Sequence, residues 1–235
     1  MPPAKEPVPT GLASVDALAT MPATLDLYVA GASEYIKSSS SISAGQKKAA
    51  QIRLSAALGT ALAAALKEQV ADINVHVGEK TVAGGLRPMQ ADVSELHPLD
   101  GLRLAVELKP VMLAVGRAIW NRFGDLRMFA VNLHLKFPFA VVGGVLAIPT
   151  YEVHEVTGTK KSTVNLIERA IARLARAGGR VTEGDAAHLL EGVGVVVYDP
   201  DTGMLDSTLP PAGSGLRWEE FVESMATAYA ARFIE

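Results

Sequence analysis

The sequence predicts an α/β fold in which helices flank a central mixed β-sheet and a helical region forms the N-terminus. Three observations support this prediction. Residues 102–109 alternate between apolar and other side chains, as a half-buried strand does. Residues 140–148 form a near-continuous apolar run, which is typical of a central buried strand. Leucines recur every fourth residue in an alanine-rich segment, as they do on one side of a helix: Leu54, Leu58, Leu62 and Leu66.

Composition limits the domain organisation and the chemistry. The chain has 235 residues, of which 49% are hydrophobic, so it can bury a substantial core. No long linker interrupts it, and we expect one continuous domain. In that domain residues 1–70 form a helical region and residues 71–235 form the core. The helical region either packs on this core or joins two copies of it in a dimer. The absence of cysteine excludes disulfides, zinc-thiolate sites and cysteine nucleophiles.

The sequence indicates a cytoplasmic protein without a membrane partner. The first seven residues lack an apolar signal-peptide core, and the run at residues 140–148 is too short to span a bilayer. A chain without cysteine fits a reducing cytoplasm. The net charge of -3 argues against indiscriminate binding of polyanions, although a locally basic cleft needs only a few lysines and arginines.

Two helices are predicted in the N-terminal third. Residues 22–37 form the first, and a serine run at residues 38–41 ends it. Residues 45–69 form the second, whose leucine stripe either belongs to the core or builds a dimer surface. Two short strands, at residues 72–77 and 80–83, are expected to follow.

Residues 89–96 and 102–109 are expected to pair as a β-hairpin. A turn-like His-Pro-Leu-Asp-Gly segment separates them, and proline, aspartate and glycine favour a turn between two such runs. The simplest pairing centres the turn between Leu99 and Asp100. The pairing of every residue further along the two strands follows from that centre.

In this register Asp92 lies opposite Glu107, and Gln90 lies opposite Lys109. Two carboxylates, an amide and an ammonium group then share one patch, with Gln90 as a supporting residue. Asp100 is also acidic, but it sits in the turn, at the far end of the hairpin from Glu107. Asp92 is therefore the preferred partner of Glu107.

The helix predicted at residues 111–123 carries side chains suited to phosphate. Asn121 lies one helical turn after Arg117, and Arg122 is next to it. A solvated basic edge without a ligand explains the same residues equally well. The following segment, residues 125–136, is open between helix and strand.

The second half of the chain supplies further strands and helices. Residues 140–148 are expected to join the hairpin in one mixed sheet. Lys160 and Lys161 lie in a small polar segment, residues 157–163, before a helix, where they either contact a phosphate backbone or belong to a mobile loop. The remaining predicted elements are a strand at residues 193–198 and a closing helix at residues 216–234.

Asp92 and Glu107, once brought together, suit a hard divalent cation such as Mg²⁺. A metal there lowers the pKa of a bound water and neutralises charge on a phosphoryl oxygen, while Lys109 orients that water or stabilises the developing anion. Phosphodiester hydrolysis is the natural use of such a group. Glu107-Leu108-Lys109 is also the only acid-x-lysine triplet in the chain.

This pattern resembles the PD-(D/E)XK nuclease superfamily, whose signature is an Asp on one strand followed by Asp or Glu, any residue and Lys on the next. The resemblance implies a restriction-endonuclease-like fold, with Asp92 and Glu107 as metal ligands and Lys109 as the catalytic lysine. Glu68 could add a carboxylate, as upstream helices do in some families resembling this one. One departure is that Pro88 lies four residues before Asp92 instead of directly before it.

The resemblance implies a Mg²⁺-dependent, site-specific endonuclease that cleaves double-stranded DNA as a homodimer, like a stand-alone restriction enzyme. Two alternatives stay open. One is a DNA repair, recombination or phage nuclease of the same fold, and the other is a non-catalytic DNA-binding protein with a decayed site. The candidate DNA contacts are Arg117, Asn121, Arg122, Lys160 and Lys161.

Overall fold

The computed structural model of the protein describes residues 24–154 and 157–234. Within these residues there are five helices: α1 (Leu25–Ser38), α2 (Ala44–Gln69), α3 (Val115–Lys136), α4 (Val164–Leu174) and α5 (Trp218–Phe233). The same residues form eight strands: β1 (His76–Val82), β2 (Met89–His97), β3 (Gly101–Pro110), β4 (Val141–Pro149), β5 (Tyr151–Val153), β6 (Lys160–Ser162), β7 (Gly192–Asp199) and β8 (Met204–Leu205).

Six of these strands form one mixed sheet in the order β1-β2-β3-β4-β7-β8. β2 runs antiparallel to both of its neighbours, β1 and β3. β4 runs parallel to β3, and β7 runs parallel to β4. β8 returns antiparallel at the edge, while β5 and β6 pair separately. The predicted α/β class, with a mixed central sheet that includes the hairpin, is therefore confirmed.

Helices cover both faces of the sheet and divide the core into two layers. α1, α2 and α5 pack on one face, where Tyr28 and Phe221 are fully buried. α3 and α4 pack on the other face, where Phe129 and Ile167 are fully buried. Over residues 24–70, the predicted N-terminal helical region therefore shares one core with the sheet.

The leucine stripe of α2 lies inside this core. All four of its members are fully buried: Leu54, Leu58, Leu62 and Leu66. The stripe is therefore not available as a dimer surface. Among the described residues α2 is also the one helix long and apolar enough to cross a membrane, with a mean hydropathy of 1.3. Burial of its leucines in the α/β core accounts for that apolar character.

Strand β4 lies between the two layers of the core, and each of its nine residues is buried. Glycines let the helices approach it closely from both sides. A Cβ on Gly143 would lie 2.7 Å from Met225 Sδ of α5, and a Cβ on Gly144 would lie 2.7 Å from Leu126 of α3. Because both distances are shorter than van der Waals contact, a side chain at either position would force the side chain of Met225 or Leu126 out of its place.

The turn of the β2–β3 hairpin differs from the prediction by half a residue position. His97 pairs with Gly101, so the loop centres on Leu99 and not between Leu99 and Asp100. Arg103 is then an extra residue on β3, a β-bulge that shifts the pairing back by one residue. Beyond this bulge the register is the predicted one.

The bulge also breaks the predicted alternation of β3. Leu104 and Val106 pack in the layer of α2, whereas Leu102 packs in the layer of α3. Ala105 is fully buried in that second layer. β3 is therefore a central strand covered on both faces, and not the half-buried strand that the alternation indicated.

Several other elements have bounds that differ from the predicted ones. A single strand, β1, replaces the two short strands at residues 72–77 and 80–83. Residues 125–136 continue α3, which is one helix of 22 residues. Residues 160–162 of the predicted loop form β6. The predicted start of the first helix, at residues 22–23, lies outside the described residues.

A buried ionic cluster joins the elements at the N-terminal ends of β4 and β7. The Glu191 carboxylate accepts hydrogen bonds from Arg180 Nη1 at 2.7 Å and from the backbone N–H of Val142 at 2.8 Å. Arg232 Nη1 lies 2.8 Å and His134 Nε2 lies 3.2 Å from the same carboxylate. Burial alone would raise the pKa of Glu191, but these partners outweigh it and hold that pKa below its ordinary value.

Glu191→Gln should lower the free energy of unfolding at pH 7 by about 3–5 kcal/mol, because it leaves the buried Arg180 and Arg232 without their counter-charge. The pKa of Glu191 is lower in the folded state, so wild-type stability should also fall as the pH drops below about 4.5. That decline should be smaller in the variant. Urea unfolding measures both effects. Glu183, an exposed neighbour, supplies the control, and equal stability of Glu191→Gln and Glu183→Gln would contradict the role of the cluster.

Candidate active site

Asp92, Glu107 and Lys109 lie together in an open groove of about 800 Å³ at the C-terminal end of β3. The N-terminal half of α2 forms one wall of this groove, and the first turns of α3 contribute another. Part of β1 and the loop after β3 complete the lining. The structure thus brings together the three residues that the sequence singled out.

Asp92 lies where β2 and β3 separate. The pairing of the two strands reaches Val93, opposite Val106, and this register places the next residue, Asp92, beside Glu107 as predicted. There Asp92 Oδ2 accepts a hydrogen bond of 2.7 Å from the backbone N–H of Leu108. The carboxylate is therefore anchored to β3 at the floor of the groove.

The pKa of Asp92 is raised, chiefly because burial disfavours the charged form of its carboxyl group. The Leu108 N–H and the positive charge of Lys109 oppose this rise, whereas the negative charge of Glu79 adds to it. A half-buried carboxyl group of this kind, in an open groove, gains much from a cation that stabilises its ionised form.

Glu107 and Lys109 form an ion pair through Glu107 Oε1 and Lys109 Nζ. Glu107 is only 8% exposed, so its charge depends on such a partner. Burial lowers the pKa of Lys109, although the negative charges of Asp92 and Asp125 act in the opposite direction. A lysine with a lowered pKa shares its proton more readily than an exposed lysine does, which suits a position beside an attacking water.

Glu79 is a third groove-lining carboxylate that the sequence analysis missed. Val77 pairs with Val93 and Lys80 pairs with Ala91, so a β-bulge at Gly78 and Glu79 lies beside Asp92. Gly78 has a φ of 114°, which favours glycine. A glycine between two short strand segments is a recognised sign of a bulge, and this signal would have indicated the position.

Of the two predicted supporting residues, the structure places one in the groove. Gln90 lines it, but its Nε2 donates to Thr81 Oγ1 at 2.8 Å, so β1 holds the amide. Glu68 is exposed near the C-terminal end of α2, whereas residues 48–56 of that helix form the groove wall. The nearest of these lies about 18 Å away along a helix. The structure therefore does not bring Glu68 to the site.

Of the three phosphate contacts predicted on α3, one lines the groove and two lie outside it. Arg122 lines the groove, and its Nη1 lies 3.1 Å from Asp125 Oδ2. Arg117 and Asn121 are exposed on the same helix, outside the groove lining. Arg122 is therefore the α3 side chain best placed to reach a phosphate beside Lys109.

Lys160 and Lys161 lie on β6, outside the groove. Lys160 Nζ lies 2.6 Å from Asp201 Oδ2 and also stands over the ring of Tyr151. Lys161 Nζ lies 4.0 Å from Glu152 Oε1. Both lysines belong to the separate two-stranded sheet and have acidic neighbours. DNA contact through these lysines stays a prediction.

The chemistry of Asp92 and Glu107 fits a magnesium ion that keeps several water ligands. Within residues 24–154 and 157–234, no three His, Asp or Glu side chains converge as the ligands of an enclosed metal would. The hydrogen bond from Leu108 involves one oxygen of Asp92, and the ion pair with Lys109 involves one oxygen of Glu107. Because Mg²⁺ in proteins is usually held by one or two carboxylates with water and substrate phosphate, these residues suffice.

No protein-family model, curated protein or solved structure shows a significant match to the chain. Its function is therefore inferred from the groove and from the side chains that line it.

Asp92→Asn and Asp92→Ala should differ in stability. The Asn amide oxygen can still accept the Leu108 N–H, whereas Ala removes the acceptor and should lower the free energy of unfolding by about 1 kcal/mol. Since the pKa of Asp92 is raised in the folded state, ionisation lowers wild-type stability as the pH rises, and Asn abolishes that loss. Asp92→Asn should therefore be at least as stable as the wild type in urea unfolding at pH 7. Equal destabilisation by both variants would contradict this description of Asp92.

Proposed function

We propose that this chain is a magnesium-dependent deoxyribonuclease of the PD-(D/E)XK type, which hydrolyses phosphodiester bonds in double-stranded DNA. The observation that carries the proposal is the convergence of Asp92, Glu107 and Lys109 in one open groove. The helix that follows the lysine, α3, packs on the sheet beside this groove, as the resemblance implies. These features support catalysis over a DNA-binding protein with a decayed site.

Each side chain has a distinct role in this reaction. Asp92 and Glu107 would hold a magnesium ion, which would supply an acidified water and neutralise charge on the scissile phosphate. Lys109 lies against Glu107, where its ammonium group can donate to the attacking water or to a phosphate oxygen as negative charge develops. Because Glu107 is buried and Lys109 is half-buried, less water screens these electrostatic interactions than at an exposed site.

Site-specific cleavage by a homodimeric restriction enzyme in the cytoplasm is the finer proposal, and it rests on the resemblance. Two-fold symmetry would present two copies of the groove to the two strands of one duplex. Since the leucine stripe of α2 is buried, another surface must join the protomers. A repair, recombination or phage nuclease of the same fold remains the alternative.

Asp92→Asn, Glu107→Gln and Lys109→Ala should each reduce plasmid cleavage in Mg²⁺ by about 100-fold or more, because each removes a group that acts on the reacting phosphate. Calcium should support DNA binding without cleavage, and EDTA should abolish cleavage. Glu68→Gln is the matched control, because Glu68 is an exposed acid outside the groove, and it should cleave like the wild type. Near wild-type activity in all three groove variants, or undiminished cleavage in EDTA, would refute the proposed site.

Light scattering should report about twice the 24.7 kDa mass of one chain. Plasmid digestion should at the same time give discrete bands, because a symmetric dimer reads a palindrome or near-palindrome. A monomer that degrades DNA from its ends to a smear would favour the alternative nuclease role and leave the groove chemistry in place.

A further inference from the structure

Helix α2 presents two different faces. Its leucines enter the core, whereas a second set of side chains lines the groove. The second set follows the spacing i, i+3, i+4 and i+7, which places its members on one side of a helix: Lys48, Gln51, Ile52 and Ser55. The wall of the groove opposite α3 is therefore one continuous helical face.

The side chains on this face suit a sugar-phosphate backbone. Lys48 is exposed and supplies a positive charge, while Gln51 and Ser55 supply an amide and a hydroxyl group. Gln51 Nε2 donates to the hydroxyl group of Tyr35 at 2.9 Å, so its amide is already oriented. Ile52 is 60% exposed in the same wall and offers an apolar contact to a sugar or a base.

The charged side chains of the groove are spread from one helical wall to the other. The charged lining consists of three carboxylates and three cations. The cations Lys48 and Arg122 come from the two helical walls, while Asp92, Glu107 and Lys109 come from the strands between them. A phosphate chain that crosses the groove can therefore contact a cation on each wall and place one phosphate over the carboxylates and their metal.

We propose that the α2 face formed by Lys48, Gln51, Ile52 and Ser55 binds the backbone of the DNA strand that carries the scissile phosphate. This inference rests on the proposed nuclease function and names the surface that positions its substrate. Lys48 contacts a phosphate, Gln51 and Ser55 donate hydrogen bonds to the backbone, and Ile52 packs on a sugar. Positioning by such backbone contacts does not depend on the DNA sequence.

Binding of a fluorescein-labelled 30-base-pair duplex of mixed sequence tests the proposal, with the full chain in Ca²⁺ and fluorescence anisotropy at several KCl concentrations. Lys48→Ala should weaken binding about 3- to 10-fold and should reduce the slope of log K against log [KCl] by about 0.9, the value for one lost phosphate contact. Gln51→Ala should weaken binding and leave the slope unchanged, because it removes no charge.

Lys67→Ala is the matched control, because Lys67 is an exposed lysine near the other end of the same helix. It should leave both the affinity and the slope unchanged. Equal effects of Lys48→Ala and Lys67→Ala, or no effect of Lys48→Ala, would overturn the assignment of this face. Circular dichroism and thermal unfolding should be the same for Lys48→Ala and Lys67→Ala, because both lysines are exposed. Gln51→Ala should keep the same circular dichroism spectrum, although loss of its hydrogen bond to Tyr35 should lower its melting temperature slightly.

Failure of this inference is distinguishable from failure of the proposed function. A wild-type protein that cleaves plasmid in Mg²⁺, together with a Lys48→Ala variant of unchanged affinity and slope, would refute the α2 surface alone. A wild-type protein that neither binds the duplex nor cleaves plasmid would refute the proposed function and the inference that rests on it. Binding that depends on Lys48, without cleavage by the wild type, would support the surface and refute the catalytic role.

Discussion

Strand β3 is covered by helices on both faces, yet its last four residues include two charged ones, Glu107 and Lys109. Removing a charge from water is unfavourable unless an opposite charge meets it, so the ion pair between these residues is the condition on which the candidate site depends. Asp92 accepts a hydrogen bond from the backbone N–H of Leu108, which offsets only part of the cost of burying its carboxylate. Because β2 separates from β3 at this point, the paired charges lie in an open groove where a ligand can reach them.

Carboxyl groups at the two ends of the sheet have pKa values shifted in opposite directions. At the N-terminal ends of β4 and β7, Glu191 is enclosed by several donors, and its pKa is lowered. At the C-terminal end of β3, Asp92 has fewer partners, and its pKa is raised. The first arrangement stabilises the fold, whereas the second leaves a carboxylate that a cation would stabilise further. The stabilising cluster and the candidate site thus lie at opposite ends of one sheet.

Two β-bulges set the details of the groove. The bulge at Arg103 restores the register that brings Asp92 beside Glu107, and the bulge at Gly78 and Glu79 adds a further carboxylate to the groove lining beside Asp92. A bulge adds one residue to one strand only, so it redirects side chains without changing the order of the strands. The site therefore depends on local irregularities within an otherwise regular sheet.

The sequence by itself determined the α/β class, the existence of an apolar stripe on α2 and the register that places Asp92 beside Glu107, because helical repeats, strand alternation and turn composition are local properties. Whether the stripe faced the core or a second chain was left to the tertiary structure. Tertiary structure decided that Glu68 lies far from the groove and that Glu79 lines it, since helix placement and strand pairing involve residues distant in the chain. Gly78 indicates a bulge before Glu79, but not which strand the bulge faces. Tertiary structure also decided that residues 125–136 extend α3, because packing against the sheet favours the helix where local pattern left helix and strand open. Pairing across strands and packing between layers are long-range interactions, and no local pattern records them.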